Sequence, residues 1–186
     1  LESVTFAEGS QLTSIGIKDA ATVKAFGECK KLESIELPDS CTYVGNYTFL
    51  NSPNLRTIVA RGVKEQGDFK CNYNDSSGFY KATVSYGAVL RGTYNPSNNG
   101  IGMAQYDVNG VPTTTLGWYT QNGVKGDKNT INGTSTTVYA VYKADCSFDL
   151  NGGTGDVAAI KSYVAPGLDD GAEITNLPQD EVTIHA

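Results

Sequence analysis

Phe26-Gly27-Glu28-Cys29-Lys30-Lys31-Leu32-Glu33-Ser34-Ile35-Glu36-Leu37-Pro38 is the stretch on which the fold turns. Phe26, Leu32 and Ile35 return as Phe49, Leu55 and Ile58, each displaced by 23 residues. A constant period of this size marks a chain built by stacking coils. Ile35 and Leu37 are two apart, so in a strand they face one side while Ser34 and Glu36 face the other. Pro38 and Gly45 interrupt regular structure and let the coil turn. Leu1, Val4 and Phe6 begin an earlier, less regular coil that continues through Leu12 and Ile15. Ala20, Ala21 and Ala25, within residues 17–26, fit a short helical turn. A coil that buries so few apolar side chains does not offset its ordering entropy alone, so it needs neighbours and a cap.

The same residues resemble the BspA-like class of bacterial leucine-rich repeats. That pattern is an Ala-Phe pair, a Cys three residues later, then Leu-x-x-Ile-x-Leu-Pro. Ala25 supplies the Ala; in the next unit Thr48 and Ser52 stand in for the Ala and the Cys. Cys41 occupies a position where the family carries Val, and Val59-Ala60-Arg61-Gly62 departs from the Leu-Pro ending, as a last coil would. The resemblance implies a short solenoid over residues 1–62 and a bacterial cell-surface setting.

Residues 63–67 read as a polar linker, after which the period changes to simple alternation. Phe69, Cys71 and Tyr73 alternate with polar residues, and Tyr80, Ala82 and Val84 do the same. This predicts two strands of a hairpin around the turn Asp75-Ser76-Ser77-Gly78. Residues 86–90 read as a short helical or bent connection, 91–102 as a loop, and Asn109-Gly110 as a tight turn between strands over 103–108 and 111–120. Residues 137–143 close the unit as a strand. Tyr86-Gly87-Ala88-Val89-Leu90, Gly117-Trp118-Tyr119-Thr120 and Val138-Tyr139-Ala140-Val141-Tyr142 resemble the Listeria–Bacteroides repeat, also called the internalin B-repeat. The resemblance implies a small β-grasp-like domain over 68–144. It is incomplete, because Asn74-Asp75-Ser76 replaces the usual Asn-Gly-Gly and the span from Tyr86 to Gly117 is long. Cys146-Ser147-Phe148-Asp149-Leu150-Asn151-Gly152-Gly153 restarts the pattern, so 145–186 is expected to be a partial second copy packed on its neighbour. The fold class that follows is mainly β, or α+β, with a solenoid ahead of one and a half sheet modules.

Composition narrows the function. A net charge of -6, with 14 basic residues spread thinly, gives no basic stripe for nucleic acid and no attraction to an anionic membrane. No apolar run is long enough to span a bilayer. The chain opens in mid-motif and its single methionine is Met103, so any signal peptide or anchor is expected outside it. Cys29, Cys41, Cys71 and Cys146 show no Cys-x-x-Cys spacing and lie at apolar positions, which predicts buried free thiols rather than disulfides or a zinc site.

Chemistry is sparse. The lone histidine, His185, is next to the last residue, so a nucleophile–His pair is not expected. Asp169-Asp170 and Asp180-Glu181 are adjacent acids in turn-like sequence, and Glu33 and Glu36 belong to a repeat surface. Asp149 to Asp156 lacks the EF-hand ligands, having Gly153 at the fifth and Ile160 at the twelfth position. No cofactor or metal is therefore expected, and no enzymatic activity. Two surfaces remain. One is the outward face of the repeat strands: Ser3, Thr5, Ser34, Glu36, Thr57 and Val59. The other is an aromatic platform of Trp118, Tyr119, Tyr139 and Tyr142, for which the competing reading is a core Trp118 with tyrosines covering the sheet. The expectation is an adhesive surface region binding an unidentified host or bacterial protein or glycan. The alternatives are a structural stalk and an accessory region of a larger surface hydrolase.

Overall fold

The computed structural model describes residues 1–17, 24–45, 47–64, 78–92, 100–105, 113–126, 131–133, 135–146 and 160–177. Among these residues the chain is mainly β, with ten strands and no helix. The expected helical turn falls mostly on residues 18–23, and the partner strand around Phe69, Cys71 and Tyr73 on residues 65–77. Both lie outside the described residues, as does the Asn109-Gly110 turn.

The strands of the repeat are short: β1 (Ser14–Ile15), β2 (Ser34–Glu36), β3 (Tyr43–Val44) and β4 (Thr57–Ala60). β1 pairs in parallel with β3, and β2 in parallel with β4. Ile35 stands opposite Ile58, so the 23-residue period reappears as a register. Bonds between successive turns keep a constant offset of 22 residues. Phe26 N–H donates to the Thr48 carbonyl, Glu28 N–H to Leu50 and Leu37 N–H to Val59. The corners repeat too: Lys24 and Tyr47 have φ of 51° and 57°, and Glu28 and Asn51 have 58° and 57°. Two non-glycine residues per coil are thus held in the left-handed region, at about a kcal/mol or more each, because the stack demands those corners.

Inside the coils Leu32, Ile35, Leu37, Cys41, Val44, Phe49, Leu55 and Ile58 are all buried. Cys29 and Cys41 are buried free thiols, as expected, and burial pushes the Cys41 thiol above its usual range. Cys71 and the side chain of Cys146 lie outside the described residues. Ser52, where the repeat pattern calls for Cys, is a buried clasp. Its Oγ accepts from Cys29 N–H (3.1 Å) and donates to the Phe26 carbonyl (2.9 Å). Ser52→Ala strands both groups and should lower unfolding free energy in urea by about 1–3 kcal/mol.

The ladder does not stop at the expected boundary near residue 62. β5 (Lys81–Val84) adds to β4 in parallel, with Ala82 opposite Ile58. The alternation expected of this strand holds, with Ala82 and Val84 buried. β6 (Leu90–Arg91) and β7 (Ile101–Gly102) form a separate parallel pair. β8 (Thr114–Tyr119) and β9 (Thr136–Cys146) pair antiparallel, placing Trp118 opposite Ala140 and Tyr119 opposite Tyr139. The two motifs singled out in the sequence are therefore direct neighbours.

β9 joins the whole sheet. Tyr139 is paired with both Lys81 of β5 and Tyr119 of β8, so β5 and β8 lie on opposite edges. Farther along, β10 (Ile160–Val164) pairs with β9 on the edge opposite β8. Six strands thus form one sheet from β2 to β10. Asp145 and Cys146, expected to open a new module, are the end of β9.

On the inner face Ile35, Ile58, Ala82 and Val138 line up in register and continue to Ala140 and Trp118. This row belongs to one core cluster that runs from the coils to Tyr142. Tyr142 packs edge-on to Tyr80, and its hydroxyl donates to the Ala104 carbonyl at 2.7 Å. Burial, with Tyr80 beside it, pushes the Tyr142 phenol above its ordinary range. The unfolded chain therefore loses this proton first, near pH 10, and stability should fall as pH rises beyond that point. Tyr142→Phe should flatten that alkaline slope in urea titrations while costing about 0.5–1.5 kcal/mol at neutral pH.

Candidate binding face

The outer face of the same sheet carries two rows of side chains. Ser34, Thr57, Lys81, Tyr139 and Tyr119 are successive register partners, as are Glu36, Val59, Thr83 and Thr137. Ser34 and Glu36 are exposed, and Thr57, Val59, Lys81, Thr83 and Thr137 are half-buried. Four of the residues picked from sequence, Ser34, Glu36, Thr57 and Val59, therefore form a compact patch on adjacent strands. Lys81, Thr83 and Thr137 extend it. Sequence reasoning missed these three because the alternation of residues 80–84 fixes the face of a strand and not its neighbours.

The patch is polar and partly pre-arranged. Thr83 Oγ1 and Thr137 Oγ1 are 2.9 Å apart across the β5–β9 seam. Arg61 reaches Glu36 at 2.7 Å and Asp39 at 3.4 Å. The hydrogen bond to Glu36, followed by that to Asp39, holds the guanidinium above its ordinary range. Lys81 Nζ sits 5.5 Å from the centre of the Tyr139 ring and 3.5 Å from Asp169. Ser3 and Thr5 are exposed alongside β2, and Ser3 shares a groove there with Glu2, Lys31, Glu33 and Ser34.

Trp118 and Tyr119 do not join this patch. Trp118 is 3% exposed and faces the core, where its Nε1 donates to the Arg91 carbonyl at 3.0 Å. Tyr119 is on the outer face yet only 5% exposed. Tyr139 and Tyr142 are also buried. The reading with Trp118 in the core is the one that the burial favours.

Among the described residues no group of three or more His, Cys, Asp or Glu is placed to hold a metal ion. No helix there is long and apolar enough to cross a membrane. In comparisons with known proteins, residues 1–81 match the family described as BspA type leucine rich repeat region, in six copies. The match ends at the first residue of β5, the strand that carries the ladder past residue 62. No curated protein and no solved structure matches the chain.

Proposed function

We propose that this chain is a non-catalytic region of a bacterial surface protein that binds a protein or glycan partner through the outer face of β2, β4, β5 and β9. The observation that carries the reading is the register. It gathers Ser34, Glu36, Thr57, Val59, Thr83 and Thr137 into one mostly polar patch, exposed at Ser34 and Glu36 and half-buried elsewhere, on paired strands. A patch whose side chains project from paired strands loses little entropy on binding. The leucine-rich-repeat match supports protein binding, and such repeats are typical of surface-associated proteins. We also read residues 68–144 as a Listeria–Bacteroides-type module and 145–186 as a divergent partial copy. The pairing of the Gly-Trp-Tyr-Thr and Val-Tyr-Ala-Val-Tyr motifs supports this.

The test is a protein and glycan array probed with the purified chain and with Thr57→Arg/Thr83→Arg, which changes only half-buried outward side chains. Signals present for the parent and lost in the variant at unchanged Tm support the face. Signals that survive in the variant overturn it. One sheet running through both parts of the chain favours a second reading, a stiff spacer, and an empty array with a folded chain selects that reading.

A further inference from the structure

The outer face changes character where β9 meets β8. Across the coils it is polar, but here Tyr139, Val141 and Tyr119 are buried on it while lying outside the core cluster of the opposite face. Residues 165–177 run over this region. One anchor is at the start of β5, where a Cβ on Gly167 would lie 2.5 Å from the Tyr80 carbonyl oxygen. The other is just beyond β8, where Thr175 N–H donates to Gln121 (3.0 Å) and a Cβ on Gly123 would meet the Thr175 oxygen at 2.1 Å. The path between the anchors crosses β9.

Three properties make this strap resemble a bound peptide more than a piece of core. It follows β10, which is added along the edge of β9 in the way an extended ligand adds to a sheet. It is acidic, with Asp169, Asp170 and Glu173 and no basic residue from 165 to 177. A lysine meets it: Lys81 lies against Tyr139 and 3.5 Å from Asp169 of the strap, and Lys143 is two residues beyond Val141 on β9. Finally, the strap is only half-buried: Leu168, Ile174 and Leu177 line an open groove of about 520 Å³ that reaches Val141.

We propose that the outer face of β8 and β9 is a binding site for an extended acidic peptide with apolar side chains spaced along it, and that the strap occupies this site in cis. A peptide with larger apolar groups at the positions of Leu168 and Ile174 covers more of the open groove and gains burial that the half-buried strap forgoes. The site adjoins the polar patch and shares Lys81 with it, but the strap variants leave Thr57 and Thr83 unchanged, so the two readings are tested apart.

The experiment uses the full chain and a labelled synthetic peptide of residues 163–177. In Leu168→Ser/Ile174→Ser/Leu177→Ser the strap loses its docking side chains while the sheet face is untouched. A tethered strap competes at an effective concentration near the millimolar range, so disarming it should tighten peptide binding by about tenfold or more over the parent chain. Gly123→Ala, which pushes the second anchor away, should act in the same direction. A peptide with Asp169, Asp170 and Glu173 changed to Lys should not bind. Failure of the peptide to bind either variant with its sheet intact by circular dichroism, or equal binding of the reversed-charge peptide, overturns the proposal.

Discussion

Phe49→Ala should destabilise the chain by about 3–5 kcal/mol, the range for removing a buried aromatic ring. Phe49 is fully enclosed and links three parts of the repeat region. Its ring is stacked on Phe26 at 6.0 Å, one coil earlier, and meets Phe79 edge-on at 6.1 Å, just before β5. Aromatic pairs contribute about 0.5–1.5 kcal/mol each beyond the area they bury, so this site combines cavity formation with the loss of two such contacts. Thr48 and Ser52 nearby in sequence are tied by hydrogen bonds to backbone carbonyls, which limits their movement into the space. Phe49→Leu keeps most of the volume and should cost less than half as much. The check is urea unfolding followed by far-ultraviolet circular dichroism. A loss near 1 kcal/mol for the Ala variant would mean that the coils hold together mainly through their backbone ladder. Because Phe79 leads into β5, the same variant should also loosen the sheet beyond the coils, which hydrogen exchange at Ala82 and Val84 would detect.

The coils were legible because each stacked position repeats chemically as well as geometrically. Ile35 and Ile58 announce their own pairing, and so do Phe26 and Phe49. The third strand of the ladder carries no such label. Ala82 occupies the register position of Ile58 but is small, and Lys81 and Thr83 look like the outward residues of any two-sided strand. Alternation names the buried face of a strand and is silent about which edge it adds to. The change of period after residue 62 therefore reads as a domain boundary, although β4 before it pairs with β5 after it. A similar ambiguity split β9, whose last residues fit the start of a repeat motif as well as the end of a strand.

The binding face was half legible for the same reason. Ser34, Glu36, Thr57 and Val59 follow from the period alone, whereas Thr83 joins them through the β4–β5 pairing and Thr137 through a β5–β9 pairing between residues more than fifty positions apart. The strap was not legible at all. Its apolar residues, Leu168, Ile174 and Leu177, have no helical or strand period, and its acids read as an ordinary solvated turn. What defines it is the approach of its backbone to Gly123, with φ of +81°, and its contact at Gly167. Such close passages leave no periodic trace in composition.

Trp118→Ala should be comparably damaging, at about 3–5 kcal/mol for the ring, with about 0.5–1.5 kcal/mol added by losing the indole hydrogen bond to the Arg91 carbonyl, which keeps the Met103 N–H as a donor. Trp118 is the chain's single tryptophan, and it closes the end of the inner row that begins at Ile35. It also lies near Gly126, where an added Cβ would come within 2.9 Å of Val138 and 3.5 Å of the Trp118 Cβ. That crowding leaves little room for the neighbours to rearrange into the cavity. Trp118→Phe separates the two contributions: most of the ring contacts remain while the N–H donor is lost, so its cost should fall to about 1–3 kcal/mol. Intrinsic fluorescence gives an independent reading, since a core indole emits at short wavelength and shifts to the red only with global unfolding. If Trp118→Ala instead kept the parent Tm and abolished binding on the array, the residue would belong to a ligand platform. The hydrogen bond to Arg91 argues against that outcome, because it ties the indole to the end of β6 on the side away from the exposed patch.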